Sequence, residues 1–547
     1  MGSLTDIRSS PSLDVLPYGR LGHEIAPDTA ASDIRRLLKP DTKPHHNLGS
    51  TYPFSFVTTA LDSHGEQLLL ENYAKNLACR HEYPGIDELH SRCVSILGDL
   101  WGVSAAGAPV GSAVSGSSEA IFLGILAMKK RWMAGRTDRD TPREPNIIVG
   151  SHAHVAVPNG ASACDVQVRS LQVSASSSFV VDPSKLEALI DDGTIGIVLI
   201  MGSTYTGHFD PVKDVGAMLD KHEASTGRNI MIHVDAASGG FVAPFLGKNG
   251  GCTQWDFSNP RAASINASGH KFGLATASVG WVLWRDRTCL PESIVHSSDY
   301  LMGQNESVTL SYSQPAHGVV LQYYHLARLG RLGYERIIKE AFQRAVDLGR
   351  LLEKTGLFEC VDGVYRGPLD SAANKSQQEA TAASRSSGLP LVVFRLRPGV
   401  KRQFPGLDEQ WISHGLMQRG FSVPCCKLPI AGMEVLVLRI VMRAGVSDEV
   451  CQSFVDALKS LLAVAEARQV VKYEGWRDTR MPVSLSPGET PETPPYGQYA
   501  ARVCVVVMCS KPCVDLWMGR ESLSRPQQQD NPQYRHKPMW SAVLGEP

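Results

Sequence analysis

Ser264-Ile-Asn-Ala-Ser-Gly-His-Lys-Phe-Gly273 is the stretch on which the reading of this chain turns. A lysine stands among small residues with a histidine beside it. An apolar lead-in precedes it, and the strand-like run Gly280-Trp-Val-Leu-Trp284 follows. An unperturbed lysine amine has a pKa near 10.4, so only about one in two thousand is neutral at pH 7. Burial lowers that value and produces an amine able to form an imine. Small neighbours leave room for a bulky ring. Read alone, the same residues also suit a surface lysine in a Ser/Gly loop.

Two segments upstream change the weighing. His233-Val-Asp-Ala-Ala-Ser-Gly-Gly240 ends a buried strand with a carboxylate and a run of small residues. The C-terminal edge of such a strand is where α/β sheets bind ligands. Asp235 there could keep a pyridine nitrogen protonated and so make the ring a stronger electron sink. Ala237 is small enough to lie flat under a ring. In isolation, Asp235 could equally cap a turn. Ser115-Gly-Ser-Ser-Glu-Ala-Ile-Phe-Leu-Gly124 opens an apolar-periodic helix, with Glu119 in its first turn. A helix start presents free N–H groups and a positive dipole end, which suits phosphate. Ser117 or Ser118 as a plain cap explains the segment as well. Together the three segments supply a phosphate cradle, a ring-nitrogen partner and an imine-forming lysine.

The rest of the chain frames these segments. From about 51 to 340, short apolar runs such as Asn146–Gly150, Gly196–Ile200, Ile230–Asp235 and Gly280–Trp284 alternate with helical runs. That pattern predicts an α/β unit with a largely parallel or mixed sheet. Residues 341–470 read as a smaller α+β unit. It has a helix over Ala341–Lys354, strands over Leu389–Leu396 and Val435–Val441, a helix near Leu407–Gly420 and another from Asp448. Residues 1–50 read as an N-terminal arm. Ser371–Gly388 is rich in Ser, Ala and Gln and reads as a mobile loop. Residues 471–547 form an atypical tail, whose Pro482–Pro495 has the composition of disorder. Its Cys504, Cys509 and Cys513 lack the fourth ligand that zinc needs, and no metal is expected elsewhere.

Of 547 residues, 43% are hydrophobic and 20% charged, with a formal net charge of −1. That composition is globular, and its bulk charge attracts neither nucleic acid nor anionic membrane. No apolar run approaches the ~18 residues of a membrane span. The N-terminus lacks the apolar core of a secretory signal. Gly2 opens a myristoylation pattern, but Asp6 stands where Ser or Thr is required. Twelve scattered cysteines form no disulfide framework, and a reducing, cytoplasmic compartment is expected.

The motifs resemble those of group II pyridoxal-phosphate-dependent decarboxylases, and most of all the glutamate decarboxylases. The resemblance spans roughly residues 50–465. Thr204-Tyr-Thr-Gly207, His233–Phe245, Ser268–Gly273, Gly280–Asp286 and Asp299-Tyr-Leu-Met-Gly-Gln304 carry it. It implies the pyridoxal-phosphate-dependent transferase fold type I, with a large mixed-sheet domain and a smaller α+β C-terminal domain. It implies pyridoxal 5'-phosphate as cofactor, bound as an imine by Lys271. Asp235 would pair with the pyridine nitrogen, and His270, Ser117 and Ser118 would hold the phosphate. Ser313, in Ser311-Tyr-Ser-Gln-Pro315, would reach the phosphate of a neighbouring subunit, so a homodimer or larger homo-oligomer is implied. Thr204 would sit near the ring hydroxyl or the substrate carboxylate. Arg439 matches the arginine that grips the α-carboxylate of the amino-acid substrate, a task suited to a bidentate guanidinium.

Departures from the family pattern bear on substrate choice. Ser55-Phe56 matches a Thr-Phe pair with the hydroxyl kept, and Asn76 is retained. Cys79 stands where glutamate decarboxylases usually carry an Asp that helps recognise the distal carboxylate. A thiol is a weak hydrogen-bonding group. The ring-stacking position is His154, in Ser151-His-Ala-His154, as in the wider group II enzymes; the glutamate decarboxylases of the most similar kind have Gln. His152 competes for the same alignment. The sequence therefore predicts α-decarboxylation of L-glutamate to 4-aminobutanoate and CO2. The alternatives are a decarboxylase or altered-outcome enzyme acting on another amino acid, and a catalytically inert homologue that binds a partner. A calmodulin-type control helix is not expected. Lys472-Tyr-Glu-Gly-Trp-Arg477 is short and interrupted by Gly.

Overall fold

A computed structural model of the chain describes residues 27–38, 51–56, 60–103, 109–136, 144–246, 253–298, 305–361, 388–430 and 434–467. Gly2, the Asp299–Gln304 motif, the Ser371–Gly388 stretch except Gly388, the 472–477 segment and the whole 471–547 tail lie outside the described residues. Of the expected arm, a helix over Pro27–Leu37 is described.

Seven strands build the main sheet: β1 (Val110–Val114), β2 (Asn146–Gly150), β3 (Gln167–Leu171), β4 (Thr194–Ile200), β5 (Ile232–Asp235), β6 (Ala262–Ser268) and β7 (Gly280–Trp284). Their spatial order is β3-β2-β4-β5-β6-β7-β1. The run from β3 to β6 is parallel, and β7 is antiparallel to both neighbours. Every residue of β2, β4, β5 and β7 is buried, as expected of short apolar strands covered on both faces. Edge strand β3 reads Gln-Val-Arg-Ser-Leu and is largely exposed, with its Arg on the rim.

Strand β6 is the exception to the apolar rule. Ala-Ala-Ser-Ile-Asn-Ala-Ser has weak β-propensity, yet all seven residues are buried between β5 and β7. Its polar side chains are each paired. Ser264 meets His233, Asn266 meets both His233 and Asp235, and Ser268 meets Ser117. Most buried polar groups in folded proteins have such partners.

A second, antiparallel sheet contains β8 (Phe358–Cys360), β9 (Leu391–Leu396), β10 (Cys425–Lys427) and β11 (Leu436–Val441), in the order β8-β9-β11-β10. Phe358, Phe394, Leu416 and Phe454 pack its core, joined by Tyr52 and Phe54 from the other end of the chain. Tyr52 N donates to Gly420 O, Phe54 N to Ser422 O, and Val441 N to Phe54 O. The strand Tyr52–Pro53 thus lies alongside Phe421–Ser422, and residues 54–56 are led past β11. Helix α1 (Ser117–Ala134) crosses the main sheet. Helix α2 (His317–Lys354) serves both cores. Its residues through Ile338 pack with the main sheet, and those from Ala341 with the second. The helix expected over Ala341–Lys354 is its second half. Gly330, at φ 55°, interrupts the helical path within the part that packs on the main sheet.

Candidate active site

Strand β5 ends in Asp235, which is 3% exposed. Its Oδ1 accepts hydrogen bonds from Ala237 N at 3.1 Å and Asn266 Nδ2 at 3.0 Å. The parallel neighbour β6 runs out through Gly269 and His270 to Lys271. Two adjacent parallel strands therefore deliver a carboxylate and an amine to one edge of the sheet, where α/β folds bind ligands. Ala237 stands beside them, half-buried, its carbonyl accepting from Ser268 N.

Lys271 Nζ donates to Ser238 Oγ at 3.0 Å. Burial pushes the amine down to about 8; Asp235 works against that and Arg439 adds to it. At such a value about a tenth of the amine is neutral at pH 7. His154 faces the same pair. Burial and then Lys271 push its pKa down, while Asp235 opposes them. Its Nδ1 accepts from Ala156 N at 3.2 Å, which leaves the proton on Nε2 in the neutral ring. His152 is a core residue instead. It is 1% exposed, with Nε2 3.3 Å from Asp210 Oδ2.

The start of α1 faces this edge. Gly116 precedes it, and no side chain caps the helix, so its first N–H groups remain open to an anion. Ser117 Oγ lies 2.7 Å from Ser268 Oγ, and Ser118 is exposed. His270 flanks the same turn. A Cβ built on Gly116 would lie 3.9 Å from His270 Cε1. His270 Nδ1 donates to Val279 O at 3.3 Å, so Nε2 is free to meet another partner. Burial, and then Lys271, pushes this imidazole down as well.

Arg439, on β11, comes from the second sheet. Its guanidinium carbon lies 4.8 Å from the centre of the Phe56 ring, and Lys271 Nζ lies 5.0 Å from the same ring. Nη1 donates to the carbonyl of Thr204, while Nε is buried without a partner. Thr204 thus contributes its main chain here. Ser55, half-buried, precedes Phe56.

Asn76, Cys79 and Ser313 form a separate group. Asn76 Nδ2 donates to Ser313 Oγ at 3.2 Å, and Asn76 Oδ1 accepts from Gln314 N at 3.0 Å. Cys79 N donates to Asn76 O, which places the thiol-bearing residue in the adjoining turn. Among the described residues, no hydrogen bond, ion pair or ring contact joins these three to Lys271, Asp235, His154 or Arg439 of the same chain.

Several residues of the site have no strong signal in the sequence. Ser238 and Ser268 are small polar residues in small-residue runs. Asn266 sits in a strand too polar to read as one. Glu119 reads as an ordinary first-turn acid. In the structure it accepts from Ser115 N and Oγ through Oε2 and from Leu310 N through Oε1, tying the start of α1 to the segment that leads to Ser313.

Residues 24–367 match the pyridoxal-dependent decarboxylase conserved domain. The chain is 36% identical over 453 residues to a glutamate decarboxylase of Saccharomyces cerevisiae, covering 78% of this chain and 76% of that one. It is 34% identical over 459 residues to a glutamate decarboxylase of Aliivibrio fischeri, covering 83% and 92%. The structure of a Lactobacillus brevis glutamate decarboxylase superposes with a TM-score of 0.72 at 30% identity, over 82% of this chain and 95% of that one. An Oryza sativa TDC with PLP and tryptamine shares the fold, with a TM-score of 0.65 at 17% identity over 85% and 92%.

A lysine whose amine is depressed beside a strand-end carboxylate and an uncapped helix start fits pyridoxal phosphate, and these likenesses agree. The molecule is a pyridoxal-phosphate enzyme of fold type I, a carboxy-lyase. The chain belongs to the pyridoxal-dependent decarboxylase family.

Proposed function

We propose that the chain converts L-glutamate to 4-aminobutanoate and CO2. The observation that carries this reading is Arg439 and Lys271 facing one Phe56 ring, at 4.8 and 5.0 Å. A carboxylate gripped by that guanidinium would have its α-amino group within reach of whatever the lysine holds. Glutamate as the amino acid is supported by relatives in yeast and bacteria that bear the name glutamate decarboxylase.

When bound, pyridoxal phosphate supplies a cationic ring that takes up the electron pair released with CO2. The chain supplies the rest. The start of α1 with Ser117, Ser118 and His270 would hold the phosphate. Asp235 would hold a proton on the ring nitrogen, with Ala237 on one ring face and His154 on the other. Thr204 would line the carboxylate side, and Arg439 would fix the carboxylate by paired hydrogen bonds. Lys271 would hold the cofactor through Nζ, and once released would return a proton to Cα of the substrate.

Asn76, Cys79 and Ser313 would complete the site of a second copy, with a homodimer as the minimum assembly. Their separation from Lys271 within one chain supports this. So do the exposed apolar residues flanking them: Leu70 at 67%, Tyr73 at 68% and Leu310 at 62%. In that arrangement Asn76, Ser55 and Phe56 would meet the distal end of the substrate. Among the described residues, no helix is long and apolar enough to cross a membrane. A cytoplasmic location is part of the same reading, supported by core thiols such as Cys93, Cys289 and Cys451.

Cys79 favours a second reading, in which another amino acid is the substrate. The two are separated by measuring CO2 release and product mass from a panel of L-amino acids with the holoenzyme. Turnover of glutamate above all others supports the first reading. Turnover of another amino acid with none of glutamate overturns it.

A further inference from the structure

Behind Asp235 lies a row of buried polar side chains. Register pairs His233 with Ser264 and Asp235 with Asn266 across β5 and β6. Residues two apart on a strand share a face, so all four side chains come together in one row. Ser264 Oγ lies 2.8 Å from His233 Nδ1, His233 Nε2 lies 2.9 Å from Asn266 Oδ1, and Asn266 Nδ2 donates to Asp235 Oδ1 at 3.0 Å. His233, Asn266 and Ser264 are at most 1% exposed.

The direction of every hydrogen bond in the row is determined. Asn266 Nδ2 donates to the carboxylate, so the amide oxygen is what faces His233. That oxygen can only accept, so His233 Nε2 carries a proton. Burial pushes the imidazole pKa down, and a neutral ring with its proton on Nε2 has a bare Nδ1. Nδ1 therefore accepts from the Ser264 hydroxyl. All three donors point toward Asp235, an arrangement in which each bond polarises the next. Helix α1 leaves room for the ring. A Cβ on Gly124 would lie 2.5 Å from His233 Nδ1. The glycine lets the phosphate-cradle helix lie directly against the histidine.

We propose that His233 and Asn266 are positioning residues for Asp235, directing its carboxylate at the pyridine nitrogen of the cofactor. Two donors, Asn266 Nδ2 and Ala237 N, occupy Oδ1. Oδ2 has no protein donor among the described residues and is the oxygen left for the ring. The inference rests on the reading that Asp235 pairs with that nitrogen.

The test is equilibrium binding to the full-length apoprotein of two ligands, pyridoxal phosphate and its analogue with the ring nitrogen replaced by C–H. Wild type should prefer pyridoxal phosphate. His233→Phe keeps the ring volume and removes the donor. It should weaken pyridoxal phosphate binding about tenfold or more, the scale of a hydrogen bond to a charged group, and leave the analogue within about threefold. Asn266→Leu, carried in parallel, should do the same. His233→Gln, whose amide can replace the Nε2–H, should restore the preference. Equal weakening of both ligands would assign the row a merely structural role and overturn the inference. So would a preference unchanged in His233→Phe and Asn266→Leu. A wild type that binds both ligands equally would overturn the Asp235 reading itself, and the inference with it.

Discussion

Lys271 donates its Nζ to Ser238 Oγ at 3.0 Å, a hydroxyl placed directly after the small residues that follow Asp235. That neutral partner cannot offset the cost of holding a cation at this depth. Burial brings the amine from 10.5 to about 8. Between those values the unfolded chain binds a proton that the folded chain does not, so stability rises with pH across this window.

Lys271→Met should therefore make the apoprotein more stable than wild type at pH 7. Solvent screening at a half-buried amine limits the gain to on the order of 1–2 kcal/mol. The difference should shrink as pH rises from about 8 toward 10.5. Denaturant unfolding of both apoproteins across that range measures it. A variant less stable than wild type at pH 7 would contradict the account of the amine.

Acid should weaken the fold through its buried imidazoles. Burial pushes His90, His208 and His325 from 6.5 to about 4, and lowers His233 as well. Between these values the unfolded chain takes up protons that the folded chain refuses. Stability present above about 6.5 is then lost as pH falls toward 4, by several kcal/mol in sum. Melting temperatures of the apoprotein between pH 7 and 4 should fall steeply. A flat profile would mean that these rings protonate without unfolding.

On the proposed placement of Cys79 beside the distal carboxylate of the substrate, Cys79→Asp should raise kcat/KM for glutamate about tenfold at acidic pH, where a protonated carboxyl donates to that carboxylate and a thiol does so only weakly. Kinetics with glutamate, and with an amino acid lacking the distal carboxylate, separate a specific effect from a general one. An unchanged value for glutamate would place recognition of the distal carboxylate elsewhere.

Mixing two inactive variants should restore activity if a site draws on two chains. Lys271→Ala lacks the amine, and the double variant Asn76→Ala/Ser313→Ala lacks the contribution to its neighbour. Each mixed dimer would contain one intact site, so an equimolar, reassembled mixture should show about a quarter of wild-type activity. Recovery near zero would assign Asn76 and Ser313 to their own chain's site, and an active double variant would assign them to none.

The reaction class was legible because its groups must occur in particular local settings. A lysine among small residues, a carboxylate at the end of the apolar strand β5 and a serine-rich start to an apolar helix are local patterns, and each stands where the fold needs it. Most strands read correctly as short apolar runs. Strand β6 did not, because its Ser264, Asn266 and Ser268 make it look like a loop. They are tolerated in the middle of a sheet only because His233, Asp235 and Ser117 pair with them. Pattern favoured His154 over His152 two residues away; in the structure His154 faces Lys271 and Asp235, while His152 is buried beside Asp210.

The α/β character and the pyridoxal-phosphate chemistry were legible in residues alone, and Lys271 and Asp235 were legible as candidates, since these follow from side-chain chemistry and short-range periodicity. Only the tertiary structure decided which distant residues share a space. Phe56 meets Arg439 because Phe54 exchanges main-chain hydrogen bonds with Ser422 and Val441, almost the length of the described chain away. Asn76 meets Ser313 through a bridge between Asn76 and Pro315. Asp235 receives the His233–Asn266 row because β5 and β6 hold a single register from His233 to Asp235. Such contacts depend on long-range strand pairing and core packing, which fix positions that no local window of residues encodes.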